Sequence, residues 1–229
     1  MRTLVALALT MLGGCSDNDN GELVGWWKFE TAQARVAPDA SGHENHATLR
    51  GDNPAAVFHH SELHLDGMND NVLAIPVSAS LRKTAKAITI VARVYRTADH
   101  NVALVAHGYP TLFFGFHGPQ FKWQVKLDNG RSGVCYADHR HKADTGRWYH
   151  IAATYDGWSA RLYVDGREIC SDWTYGSISM PDDDFTIGAY VDDQGEIVDE
   201  LSGRMSWVQI YSRAFSSANI QKLYERDSH

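Results

Sequence analysis

The chain has 229 residues, enough for one large hydrophobic core and too few for two full lobes. Hydrophobic residues make up 44% and aromatics 11%, which excludes wholesale disorder, and 28 acidic against 21 basic residues leave a formal charge of −7, which speaks against a phosphate-backbone footprint. With 6 prolines and no Gly-X-Y or low-complexity period, collagen-like and linker architectures are excluded as well.

Residues 1–14 read as a signal peptide, because Arg2 supplies a basic start and Leu4 to Leu12 form an apolar run too short to span a bilayer. The tetrapeptide Leu12-Gly13-Gly14-Cys15 that follows resembles the lipobox of bacterial lipoproteins. That resemblance implies cleavage before Cys15 and lipidation of Cys15, with residues 15–21 as a polar tether; the alternative is an ordinary signal peptide with an incidental cysteine. Ser16 and Asp17 after the cysteine resemble a sorting signal for the outer rather than the inner membrane, so a lipid-anchored protein of the bacterial cell envelope is expected. Two cysteines then remain in an oxidising compartment, Cys135 and Cys170, and a disulfide between them is predicted, with two buried free thiols as the alternative.

Residues 22–229 read as one domain whose short runs alternate or are β-rich and are bounded by turn residues. In chain order the predicted strands are 23–29, 63–65, 72–75, 88–95, 102–106, 111–116, 121–127, 149–155, 160–164, 185–189 and 205–211. Asp128-Asn129-Gly130, Asp156-Gly157 and Asp165-Gly166 supply the positive φ that hairpin turns demand. So many strands need two stacked sheets, and an all-β antiparallel sandwich of jelly-roll type is predicted. Only 216–226 reads as a helix, with Ala218, Ile220, Leu223 and Tyr224 on one side and Ser216 or Ser217 as cap.

Three early motifs, Trp26-Trp27-Lys28-Phe29-Glu30, Asp39-Ala40-Ser41-Gly42-His43-Glu44-Asn45-His46 and Leu65-Asp66-Gly67-Met68-Asn69-Asp70-Asn71-Val72, come in a characteristic order. Trp148 to Gly157 with Leu162-Tyr163-Val164-Asp165-Gly166, then Ile187-Gly188-Ala189 and Val208 to Ser216, follow them. The series resembles the laminin G-like, concanavalin A-like lectin and glucanase superfamily, including its pentraxin-like jelly rolls, over roughly 22–226. The resemblance implies a two-sheet jelly roll with one concave face, commonly used for glycans and often carrying calcium. It places a structural calcium site at Asp39 and Asn45 together with the closing strand, where Met205-Ser206-Trp207 stands in place of the usual Ile-Asp-Glu and withholds a carboxylate. In the alternative, Asp39, Ser41 and Gly42 merely build a turn.

Catalytic constellations are weaker. Twelve histidines invite a zinc reading, but His43 and His46 lie in a loop with no third ligand in range. Glu196-Ile197-Val198-Asp199-Glu200 lacks the spacing of the paired acids in glucanases of this fold and reads as a loop cluster, as do Asp182-Asp183-Asp184 and Asp192-Asp193. In 121–127, Phe121, Trp123, Val125 and Leu127 share one face while Lys122, Gln124 and Lys126 share the other. With His117, Tyr136, His139 and Arg140 in neighbouring segments, that polar face is the predicted glycan-binding surface, suited to acidic sugars. Trp158, Trp173 and Tyr175 are the aromatics predicted to be exposed.

These readings combine into a monomeric, non-catalytic, lectin-like envelope lipoprotein that binds a polysaccharide and no nucleic acid. Two alternatives stand beside it: a jelly-roll lyase acting on a uronate glycan, and a protein-binding envelope module. For the lyase, a His or Tyr base must meet a cation in one cleft, and the strand motifs expected of such lyases are absent.

Overall fold

Alternation sets the architecture. Phe121, Trp123, Val125 and Leu127 are at most 2% exposed, and Trp123 sends its indole N–H across the core to the Thr154 carbonyl at 3.1 Å, so the face opposite them must look outward. The computed structural model describes residues 22–227 except 31, 33–34, 52–56, 69 and 109–110. The expected signal peptide, the lipidated Cys15 and the tether of 15–21 therefore lie outside the described residues.

Two antiparallel sheets face each other. The first runs β14 (Arg167–Trp173), β13 (Ser159–Val164), β12 (Trp148–Tyr155), β7 (Ile88–Arg96), β18 (Ser202–Tyr211), β5 (Glu62–Asp66) and β4 (Phe58–His59), and β1 (Leu23–Trp27) also pairs with β18. The second runs β11 (Ser132–Tyr136), β10 (Gln120–Lys126), β9 (Leu112–His117), β8 (Val102–His107), β15 (Phe185–Ile187), β6 (Val72–Ile75), β3 (Ala47–Arg50) and β2 (Val36–Ala37). A small hairpin of β16 (Tyr190–Val191) and β17 (Ile197–Val198) forms a separate ladder of its own. Inner faces from both sheets form one core that includes Trp27, Trp123, Phe114, Phe116, Phe121, Tyr155 and Phe185. This is the predicted sandwich.

The best-specified hairpin forms as its turn residues dictate. Ile151 pairs with Val164 and Tyr155 with Ala160, while Asp156 Oδ1 accepts from the Trp158 and Ser159 amides and Gly157 takes φ 91°. At the C-terminal end, α2 (Ser217–Asp227) is capped by Ser216, whose hydroxyl accepts from the Asn219 amide. Its Ile220 and Leu223 pack on the outside of the first sheet against Val91, Ala152, Tyr163 and Tyr211.

The reading of a single helix needs correction. A second, α1 (Ala79–Arg82), continues as a 3-10 turn over Lys83–Ala85, with Ser78 Oγ accepting from the Leu81 amide. Four residues with Ser80 and Leu81 buried cannot display a 3.6-residue period, so the pattern was invisible. Among the described residues no helix is long and apolar enough to cross a membrane.

One end of the sandwich is tied by a buried cation. Arg96, 0% exposed at the end of β7, donates to the carbonyls of Ala98, Gly118 and Ala143 and to Asp99 Oδ1, and its guanidinium lies 4.6 Å from the Phe116 ring centroid. Burial lowers its pKa, an effect opposed by Asp99, and the planar fork fastens three loops to one strand.

Candidate functional site

The outer face of the second sheet carries the site. Lys122 lies opposite Gly115 on β9 and Tyr136 on β11, and Gln124 lies opposite Phe113 and Val134. Small residues make the floor: Ala103 and Ala106 on β8 present little bulk, and a Cβ on Gly115 would sit 2.0 Å from the Val102 carbonyl oxygen, so only glycine lets β9 and β8 approach there. Over this floor folds the β16–β17 hairpin, whose Tyr190 meets the Phe113 ring edge-on with centroids 6.2 Å apart.

Two adjoining cavities result. One, of about 210 Å³, is lined by Leu112, Phe113, Lys122, Gln124 and Asp199; the other, of about 520 Å³, by Arg50, His107, Thr186, Asp182 to Asp184 and Asp192 to Asp193. They share Ala106, Gly108 and Tyr190 and so form one groove with an aromatic wall and polar flanks.

The cationic end is assembled by ring contacts. Lys122 Nζ stands 4.4 Å from the Phe113 centroid and 5.5 Å from that of Tyr136, and the Tyr136 and His117 rings lie 5.7 Å apart. Asp199 faces the same cluster. Burial pushes its carboxyl pKa up while Lys122, His117 and His100 pull it down. At the acidic end Asp184 pairs with Arg50 and Asp182 with Arg82, and His107 stacks on Phe185 at 4.2 Å with burial lowering its pKa.

Of the predicted binding residues, Lys122 and Gln124 line the groove and His117 and Tyr136 adjoin it. Lys126 lies farther along the same face, opposite Ser132 and outside the lining. His139 and Arg140 belong to the loop after β11 and are not brought to the groove; Arg140 is locked onto Asp138 through its Nε at 2.9 Å. Sequence reasoning missed Phe113, Tyr190 and Asp199. The signal for Phe113 was alternation in β9, which puts it on the same side as Gly115 and His117 and opposite the core residues Leu112, Phe114 and Phe116. Asp199 takes φ 53°, and this break in alternation turns what reads as a solvated acid run into one groove carboxylate and one buried neighbour, Glu200.

The loop expected to hold calcium is closed by its own hydrogen bonds. Asp39 Oδ1 accepts from the Trp26 and Ser41 amides, and Oδ2 accepts from the Ser41 hydroxyl and the Asn45 amide. Asn45 Nδ2 donates to the Val24 carbonyl and to Ser80 Oγ. A carboxylate already accepting four protein hydrogen bonds, with Ser206 in the closing strand, does not fit a cation that wants six to eight oxygens. Among the described residues no group of three or more His, Cys, Asp or Glu is set to hold a metal ion.

Cys135 and Cys170, expected to be bridged, stand as free thiols that influence each other, one on β11 and the other on β14, and Cys135 Sγ donates to the Ala160 carbonyl at 3.6 Å. The contact with Cys170, and then burial, push the Cys135 thiol well above its usual pKa.

A model of the concanavalin A-like lectin/glucanases superfamily matches residues 66–221, more than half of the sequence. The chain belongs to this superfamily. No curated protein matches the sequence significantly. Among solved structures, the concanavalin A-like domain resembles the binding domain of Paraclostridial Mosquitocidal Protein 1, at 14% identity and a TM-score of 0.64 over 90% of this chain and 52% of that one. Trypanosoma rangeli sialidase, solved in complex with sialic acid, aligns at 16% identity and a TM-score of 0.66 over 90% of this chain and 33% of that one. Domain 4 of AbnA, an extracellular arabinanase from Geobacillus stearothermophilus solved in complex with arabinotriose, aligns at 17% identity and a TM-score of 0.63 over 89% of this chain and 98% of that domain. The concanavalin A-like domain thus spans about half of the toxin domain and a third of the sialidase, and nearly all of the arabinanase domain.

Proposed function

We propose that this chain is a lectin-like module that holds a polysaccharide in the groove on the outer face of the second sheet, without cleaving it. One observation carries the reading: the half-buried Tyr190 ring, propped edge-on by the buried Phe113, stands beside hydrogen-bonding groups of Lys122, Gln124 and Asp199 over a floor of small residues. Sugar rings offer C–H faces to aromatics and hydroxyls to polar side chains, and this groove supplies both. The arabinanase domain, which this chain covers almost end to end, was solved with an arabinose oligomer and supports a glycan as the ligand class.

Localisation belongs to the same proposal. Cys15 would carry lipid and hold the domain in the bacterial cell envelope, at the outer membrane. In that oxidising compartment Cys135 and Cys170 would join, the two thiols giving up two electrons and two protons to a disulfide carrier of the thiol-oxidase class. Their contact between β11 and β14 supports this.

A second reading rests on a different observation. His117, Tyr136 and Lys122 do gather at one end of the groove, which is the base-plus-cation set a uronate lyase requires. Binding without chemistry leads because Arg140, the strongest anion ligand nearby, is paired with Asp138 away from the groove.

Native electrophoresis through gels cast with arabinan, xylan, mixed-linkage β-glucan or alginate tests both. Retardation with the polysaccharide stain intact, reduced by Phe113→Ala or Lys122→Ala, is the expected outcome. A cleared zone at the protein band identifies the lyase, and free migration in every gel overturns glycan binding.

A further inference from the structure

Trp158, Trp173 and Tyr175 are 65%, 76% and 49% exposed and belong to two segments joined by backbone hydrogen bonds, Thr174 N–H to Trp158 O at 3.0 Å and Gly176 N–H to Gly157 O at 3.3 Å. They lie where the β12–β13 turn meets the end of β14 and the chain after it, and none of them lines either cavity of the groove. The large exposed area of Trp158 and Trp173 does no packing work, and exposed indoles gathered at one place mark a contact surface.

The backbone beneath these rings is pinned by hydrogen bonds. The Trp158 amide donates to Asp156 Oδ1 at 2.9 Å, Asn129 Nδ2 donates to the Tyr175 carbonyl at 2.7 Å, and the buried Tyr155 hydroxyl donates to the Gly176 carbonyl at 2.8 Å. Arg131 stacks its guanidinium 4.4 Å from the Tyr175 centroid, while the Trp158 and Tyr175 rings sit 6.0 Å apart at 36°. Backbone held this way loses little freedom on binding, so the segment is organised for contact before any ligand arrives.

We infer that Trp158, Tyr175 and Arg131 form a second glycan-contact surface, on which a neutral sugar ring stacks while Arg131 and Asn129 donate to its hydroxyls. The charge pattern selects this occupant over a membrane. Indoles with an arginine also suit a lipid interface, but Asp156, which accepts from the Trp158 amide, and Asp128, beside Gly176, adjoin the segment and would be repelled by an anionic headgroup layer. Hydroxyl-rich rings, by contrast, use acceptors and donors alike. The inference extends the proposal of a glycan-binding module to a surface separate from the groove, so that one polysaccharide strand or two neighbouring strands engage the domain twice and gain affinity by linkage.

The test measures retardation of the full chain in gels of arabinan, xylan, mixed-linkage β-glucan and alginate over a range of polysaccharide concentrations. Trp158→Ala and Tyr175→Ala are compared with Trp158→Phe and with Phe113→Ala in the groove, and thermal melting confirms that each variant is folded. The expected result is at least about tenfold weaker binding of neutral polysaccharide for Trp158→Ala, near-normal binding for Trp158→Phe, and a further loss when Trp158→Ala is combined with Phe113→Ala. Loss in Phe113→Ala with none in Trp158→Ala or Tyr175→Ala overturns the second surface and leaves the groove standing. Loss in the Trp158 and Tyr175 variants alone keeps the surface and refutes the groove, and no retardation of the parent overturns both. Co-flotation with phosphatidylethanolamine/phosphatidylglycerol vesicles that disappears in Trp158→Ala, without retardation in neutral gels, would assign the surface to a membrane instead.

Discussion

Glu200 makes the stability of this fold depend on pH in a direction opposite to that of a salt-bridged acid. Its side chain is 7% exposed; Oε2 accepts from the Asn71 amide at 3.2 Å, and Oε1 is buried without a hydrogen-bond partner. Burial, aided by Asp66 and Asp70 and opposed by the Asn71 and Gly67 amides, pushes the carboxyl pKa up from 4.5 to about 7. Between those values the folded chain holds a proton that the unfolded chain has released, so stability falls as pH rises through the window and is fully present below 4.5. A shift of that size corresponds to about 3 kcal/mol, lost by pH 8. Glu200→Gln keeps an acceptor for Asn71 and removes the titration. Thermal melting from pH 4.5 to 8 should show variant and parent close together at the acid end and diverging above it, with the variant higher by roughly 6–12 °C at pH 8. His64 and His107, whose pKa values are lowered by burial, add a slope of opposite sign below 6.5 in both proteins and cancel in the difference. Parallel curves for parent and variant across the whole range would refute the reasoning.

Arg96→Lys should unfold at a markedly lower temperature, with a loss of at least about 3 kcal/mol by denaturant titration, because a single ammonium cannot reach the carbonyls of Ala98, Gly118 and Ala143 together. Chelation by EDTA should leave the melting temperature unchanged, since Asp39 is satisfied by protein donors; an ion present at a hundred times its Kd would instead contribute about 2.7 kcal/mol. Oxidised protein should lose two hydrogens by intact mass through a Cys135–Cys170 bridge and gain stability of about 3–4 kcal/mol over its reduced form, and Cys170→Ser should abolish both effects.

Much of the sandwich was legible because inner faces repeat every second residue. Phe121, Trp123, Val125 and Leu127 announced β10, and Asp156-Gly157 fixed the register of β12 on β13. Most of the strands that escaped detection lack that signal; β3 and β11 do alternate, but they put small residues, Ala47 and Gly133, among their inner positions. β14 is an edge strand whose residues are all exposed or half-buried, and β2, β4, β16 and β17 have two residues each, too few for a period. The site was half legible for a related reason. Lys122 and Gln124 come from a regular strand, so their direction followed from alternation, whereas Tyr190 and Asp199 reach the groove through a hairpin that folds back over the sheet. No local pattern encodes where such a hairpin lands. His139 and Arg140 failed for the converse reason: proximity in sequence to β11 did not carry them onto its face.

The pairing of β1 with β18 has a topological consequence. Leu23 lies opposite Tyr211, and the Ser212 amide donates to the Glu22 carbonyl at 2.9 Å, so the first strand starts where the last one finishes. From there α2 returns to bring Arg226 and Asp227 beside Trp26 and Lys28. Both boundaries of the folded unit therefore emerge on one flank of the first sheet, while the groove opens on the far side of the second. A unit built this way can be spliced into a surface loop of a host protein, or joined head to tail by a short linker and reopened elsewhere, without stretching a strand or covering the groove.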